Sequence, residues 1–161
     1  MIDPAADYAA WQAKVAGKNV SDVSLLATDY LNHFNEVVML IGMIADMPEM
    51  LDDVRAWQPK SYADHFRDSG FAAKEVAIEA YAHSPAQFRG PFDLTIERLN
   101  TEVAQNVETL TRLVAAGDVA ELRATAEESS RQLQGLIELA SSIISGAAMN
   151  QAEIDRMLRK G

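Results

Sequence analysis

The sequence predicts an all-α protein, an antiparallel up-down four-helix bundle with short extra N-terminal and connecting helices. Three observations carry this. Among 161 residues only 8 are glycine and 5 proline, and alanine, leucine, glutamate and methionine are common, a balance that favours helix. Val119, Leu122, Ala126, Ser129, Leu133, Leu136, Ala140 and Ile143 recur in steps of three and four, the spacing that keeps one helical face toward a partner. No stretch alternates apolar and polar residues as a half-buried strand does, and no internal repeat is visible.

Residues 1–20 read as an N-terminal extension. Tyr8, Trp11 and Val15 at helical spacing predict a short helix, which Gly17, Lys18 and Asn19 end. Residues 21–146 read as the bundle. Its first main helix is expected to start at Ser21 or Asp22, both good caps, and to run to about Ala45. The inward stripe would be Leu26, Tyr30, His33, Val37, Leu40 or Ile41, and Ile44. Pro48 stops that helix, and a short helix follows over 48–57. Ser61, with Asp64 three positions on, caps the next helix, expected to continue to Ala82 with a kink or close crossing at Ser69-Gly70. Residues 84–91, with two prolines and a glycine, are expected to form the longest loop.

A long helix is expected from about Phe92 to Ala116, with Ile96, Leu99, Val103, Val107, Leu110 and Val114 along one face. Gly117 suits the position just past its end. Asp118 then caps the last long helix, and Glu121 completes a variant capping box. A one-residue link makes these two helices antiparallel neighbours. Residues 147–161 read as a C-terminal tail helix set off by Ser145-Gly146-Ala147-Ala148.

The formal net charge of −10 argues against nucleic acid and against anionic membrane surfaces. There is no cysteine, so thiolate nucleophiles and cysteine-based metal sites are excluded. The longest apolar run, Val37 to Ala45, is interrupted by Gly42 and falls far short of the ~20 residues of a membrane span. The start, Met1-Ile2-Asp3-Pro4, lacks the basic and apolar pattern of a signal peptide. A cytoplasmic protein is expected.

No cofactor is expected, a divalent metal being the alternative. The metal candidates are His33, Glu36 and His65, with Asp29 and Glu36 flanking His33 on its helical side. The Glu-x-x-His pairs of di-iron bundles and a His-x-x-x-His pair are missing. Glu128 and Gln132, one helical turn apart, are an acid and an amide of the kind that positions a water. Ser129 and Ser130 have no histidine at a recognisable distance, so no nucleophile–base pair is indicated. Met39, Met43, Met47 and Met50 suit packing.

Two resemblances add to this. The helix order over 24–160, with Trp57-Gln58-Pro59-Lys60-Ser61-Tyr62 leading to His65 and the closing Gln151 to Gly161, resembles the DinB/YfiT-like bundles. That resemblance implies a metal-ligand position at His65. Gly146 and Asn150 stand where the family carries its further histidine pair. Separately, Asn150-Gln151-Ala152-Glu153-Ile154-Asp155-Arg156-Met157-Leu158 is similar to the CheY-binding peptide of the flagellar switch protein FliM, and to the C-terminal peptide of CheZ. Asn150 with Glu153 forms a capping box, and Ile154, Met157 and Leu158 fall on one side of a short helix. The resemblance implies partner-binding roles for Gln151, Glu153, Ile154, Asp155, Met157 and Leu158.

The expected function is therefore a binding or adaptor module whose tail meets a protein partner, a CheY-like response regulator being the candidate class. The chain is expected not to be an enzyme. The alternatives are a DinB-like metal-dependent enzyme or ligand-binding bundle with a degenerate site, and a homodimerising bundle without catalytic activity.

Overall fold

A computed structural model describes residues 3–147 and residue 156, and every regular element among them is helical. The α-helices among residues 3–147 are α1 (Pro4–Val15), α2 (Asn32–Met43), α3 (Leu51–Ala56), α4 (Tyr62–Asp68), α5 (Lys74–His83), α6 (Ala86–Ala116) and α7 (Val119–Ile144). Short 3₁₀ turns at Thr28–Leu31 and Pro48–Met50 lead into α2 and α3. Among the described residues no helix is long and apolar enough to cross a membrane.

The α6–α7 hairpin is the backbone of the fold. Gly117 turns the chain in the left-handed region at φ 70°, where a residue without a Cβ avoids strain. Asp118 accepts from the Glu121 amide at 3.1 Å, as its capping role requires. The α7 seam is buried at Leu122, Ala126, Ser129, Leu133, Leu136, Ala140 and Ile143. Val119, also expected on the seam, is instead 60 % exposed. The cause is length. At about 1.5 Å per residue, α2 reaches less than half as far as α7, and Val119 lies at the uncovered hairpin end.

The first main helix starts later than its sequence suggests. Ser21 does act as a cap, but of a tight turn: its Oγ accepts from the amides of Val23 and Ser24, each at 3.2 Å. Leu25 then takes a left-handed φ of 63° while fully buried. A helix cannot run through that residue. The 21–27 segment instead becomes a hydrogen-bonded hub. Tyr8 and Gln12 of α1 donate to the carbonyls of Val23 and Asp22. Ser84 donates to the Ser24 carbonyl, and Ser24 donates to the Ile144 carbonyl, both at 2.6 Å. The Ala27 amide donates to the Tyr62 hydroxyl at 2.9 Å.

Two further differences are local. The helix expected over 61–82 divides into α4 and α5. Ser69 ends α4 by donating to the Phe66 carbonyl and accepting from the Phe71 amide, an alternative to the helical ladder. Conversely, the loop expected over 84–91 is helical from Ala86. Pro91 lies inside α6, where it removes one backbone bond. Burial of Phe88, Pro91 and Phe92 on one face outweighs that loss, and Thr95 donates to the Pro91 carbonyl at 2.8 Å.

The core runs through all these elements. It includes Trp11 and Val15 of α1, Phe34, Val37 and Ile41 of α2, Phe66 of α4, Ala77 and Ala80 of α5, and Leu99 and Val103 of α6. α1 packs on α5, with Trp11 stacked on His83 at 4.6 Å and Asp7 paired with the His83 Nδ1 at 2.8 Å.

Candidate functional site

The metal candidates from the sequence meet at one cleft. The start of α2 supplies Asn32, His33 and Glu36, α4 supplies His65 and Asp68, and the 57–61 connection supplies Lys60. Together with Ser69 they line a pocket of about 220 Å³. His33 is at the rim of the core, half-buried, and not on the inward stripe expected of it. That stripe runs through Phe34, Val37, Val38, Ile41 and Ile44.

Both imidazoles are held firmly. His33 Nε2 donates to the Gln58 carbonyl at 2.6 Å, since a carbonyl can only accept. Trp57 stacks on the His33 ring at 4.6 Å, and its indole N–H donates to the His33 carbonyl at 2.9 Å. His65 Nε2 donates to Asp29 Oδ2 at 2.9 Å, and Asn32 steadies the other Asp29 oxygen at 3.2 Å. The His65 ring also meets Tyr30 and Phe66 edge-on. The two imidazole centroids lie 6.5 Å apart. Burial lowers the His33 pKa from its ordinary value.

This cleft orients two imidazoles without activating a nucleophile. Ser69 donates its hydroxyl to Phe66, and Ser61 caps α4 through the Asp64 amide. Lys60 pairs with Asp68 at 3.1 Å on the surface. Among the described residues no group of three or more His, Asp or Glu side chains is placed to hold a metal ion. His33, Glu36 and His65 therefore share a pocket but do not converge on one point. Glu128 and Gln132 are engaged with each other at 3.2 Å, and Arg131 also donates to Glu128. Arg131 holds the Glu128 carboxyl below its usual range, and the pair faces solvent outside any cleft described above.

A second cavity, about 330 Å³, adjoins the first across Lys60. Tyr30, Tyr62 and Tyr81 line it together with Phe92, Asp93, Ile96 and Asn100 of α6. Sequence reasoning missed it because its parts come from four separate stretches. The i, i+3, i+7 spacing of Asp93, Ile96 and Asn100 was the visible signal. The partner-binding residues Gln151, Glu153, Ile154, Asp155, Met157 and Leu158 lie outside the described residues.

Compared with family models, with curated proteins and with solved structures, the chain matches none.

Proposed function

We propose that this protein is a cytoplasmic binding or adaptor module that meets a protein partner through residues 150–158, the partner being a CheY-like receiver domain. One observation carries the proposal: how α7 ends. Gly146 sits at φ 109°. Its amide donates to the Ile143 carbonyl at 3.0 Å, and the Ala147 amide donates to the Ser142 carbonyl at 3.1 Å. These two bonds are a Schellman motif, which closes a helix and redirects the chain. The Ser24 hydroxyl fixes the Ile144 carbonyl at the same point. α7 therefore ends at Ile144, ahead of the 148–161 stretch. The sequence of that stretch carries its own cap, Asn150 with Glu153, and its own apolar trio, Ile154, Met157 and Leu158. Arg156, the described residue of this segment, is helical and exposed.

In this proposal the body is an antiparallel up-down four-helix bundle, with α2, the α4–α5 pair, α6 and α7 as its legs. The body serves as a carrier, and the short helix is the ligand. An amphipathic helix laid in a groove takes most of its binding energy from its apolar anchors. Glu153 and Asp155 at the rim tune specificity and on-rate.

The test is a titration of the full chain against a purified CheY-like receiver domain. A short helix that orders on binding should show saturable binding at about micromolar strength or weaker. Replacing Ile154 and Leu158 together by alanine should weaken it by about tenfold or more. Binding that is absent, or unchanged by that double replacement, contradicts the proposal.

A further inference from the structure

We propose that Met39, Met43 and Met47 form a thioether site for a soft monovalent metal ion, copper(I). The three recur in steps of four along Met39-Leu40-Ile41-Gly42-Met43-Ile44-Ala45-Asp46-Met47. α2 and its C-terminal cap turn Phe34, Val37, Val38, Ile41 and Ile44 into the core. Met39 and Met43 therefore fall on the opposite, outer side of the helix, and Met39 is 60 % exposed. Past the end of α2 the Met47 amide donates to the Met43 carbonyl at 2.9 Å, the bond of one more helical turn. Met47 thus stands one turn on from Met43. The packing role that suits these residues in sequence holds for Met50, which rests against the core. Met43 and Met47 are partly exposed and lie outside that cluster.

A thioether sulfur is polarisable, uncharged and without a proton to lose. Such soft ligands select copper(I) over hard cations. Cβ atoms one turn apart on a helix stand about 5–6 Å from each other. Sulfur lies two bonds beyond Cβ on a side chain with three rotatable bonds. Rotamer changes alone let two such sulfurs grip one ion from either side. Met39 and Met47 are separated by about 12 Å of helix rise, too far to share an ion. Met43 is therefore the common ligand, and it takes the ion together with Met39 or with Met47. Gly42, with open space where a side chain would stand, leaves the approach to Met39 and Met43 clear.

The surroundings favour a cation. Glu36, exposed and one turn before Met39 on the outer side of α2, adds negative charge. Asp46 holds the Arg123 guanidinium at 2.7 Å, so that arginine is neutralised. The net charge of −10 adds a long-range field that draws cations. The site also differs in kind from the His33–His65 cleft. Metal affinity falls in acid where the ligands take up protons, as imidazoles do and thioethers do not.

The experiment is an NMR titration of the full chain, labelled at the methionine methyls, with silver nitrate in chloride-free buffer. Silver(I) is the redox-inert probe for copper(I). The site predicts saturable shifts of the Met39, Met43 and Met47 methyls, equally strong at about pH 7 and about pH 5. Zinc(II) should give none at those methyls. Met43→Leu conserves volume and keeps the fold. It should weaken silver(I) at the Met39 and Met47 methyls by about tenfold or more, because a lone thioether lacks the second, intramolecular contact. Met39→Leu and Met47→Leu each leave one pair and should cost less than Met43→Leu. The proposal is overturned if the Met43 methyl shows no saturable shift, or if zinc(II) shifts the same methyls. It is equally overturned if silver(I) binding there is lost in acid, or if Met43→Leu binds as the parent does.

Discussion

The Ser24 hydroxyl donates to the Ile144 carbonyl at 2.6 Å, joining positions 120 residues apart in a fully buried setting. This bond ties the 21–27 hub to the last turn of α7. It also satisfies a carbonyl that has no helical partner, because α7 stops there.

Ser24→Ala should therefore destabilise the protein by about 1–3 kcal/mol, the cost of leaving a buried polar group unsatisfied. The Leu26 amide, which donates to the same hydroxyl at 3.2 Å, loses its partner too. Urea unfolding measures the effect. A change within experimental error would mean that water replaces the hydroxyl and that the hub is not tightly closed.

Ser129 gives the opposite sign. It lies in the α7 seam, 2 % exposed, and its hydroxyl has no hydrogen-bond partner. Ser129→Ala removes an unsatisfied polar atom and inserts the best helix former. A gain of about 0.5–2 kcal/mol is expected, read as a higher melting temperature. A loss would show that the hydroxyl has a bound water or another partner in solution.

Burial holds the His33 imidazole below its ordinary value. The Gln58 carbonyl and Glu36 act the other way, while Lys60 and His65 reinforce the lowering. The unfolded chain then binds more protons than the folded one between the folded value and about 6.5. The stability that neutral His33 contributes is complete above that range and is lost as pH falls through the folded value. His33→Gln removes this titration. The stability difference between parent and variant should narrow from about pH 7 to about pH 5. Denaturant unfolding at both values checks it, and a difference that widens in acid would contradict it.

The all-α class, the Gly117-Asp118 turn and the α7 seam were legible because each rests on local chemistry: a left-handed glycine, a capping carboxylate and a regular apolar step. The errors came where side chains compete with backbone periodicity. Ser21 and Ser69 look like helix caps or helix interior in sequence, yet their hydroxyls bond nearby backbone groups and stop or delay helices. Pro91 looks like a loop residue, yet burial of its neighbours Phe88 and Phe92 keeps it helical. The pairing of His65 with Asp29, and the meeting of Tyr30, Tyr62 and Tyr81 with Phe92 and Asp93, depend on how the 28–31 turn, α4, α5 and α6 approach one another. No spacing in the sequence encodes that approach.

The most direct measurement is removal of residues 149–161, which spares Ala147 and so keeps its bond to Ser142. If the segment is a docking helix and not part of the body, the shortened chain should melt within about 2 °C of the parent, less than the shift that about 1 kcal/mol would cause. It should also lose saturable binding to a CheY-like receiver domain. A shortened chain that unfolds, or that melts several degrees lower, would place the segment in the core. A shortened chain that binds the receiver domain as tightly as the parent would contradict the docking role directly.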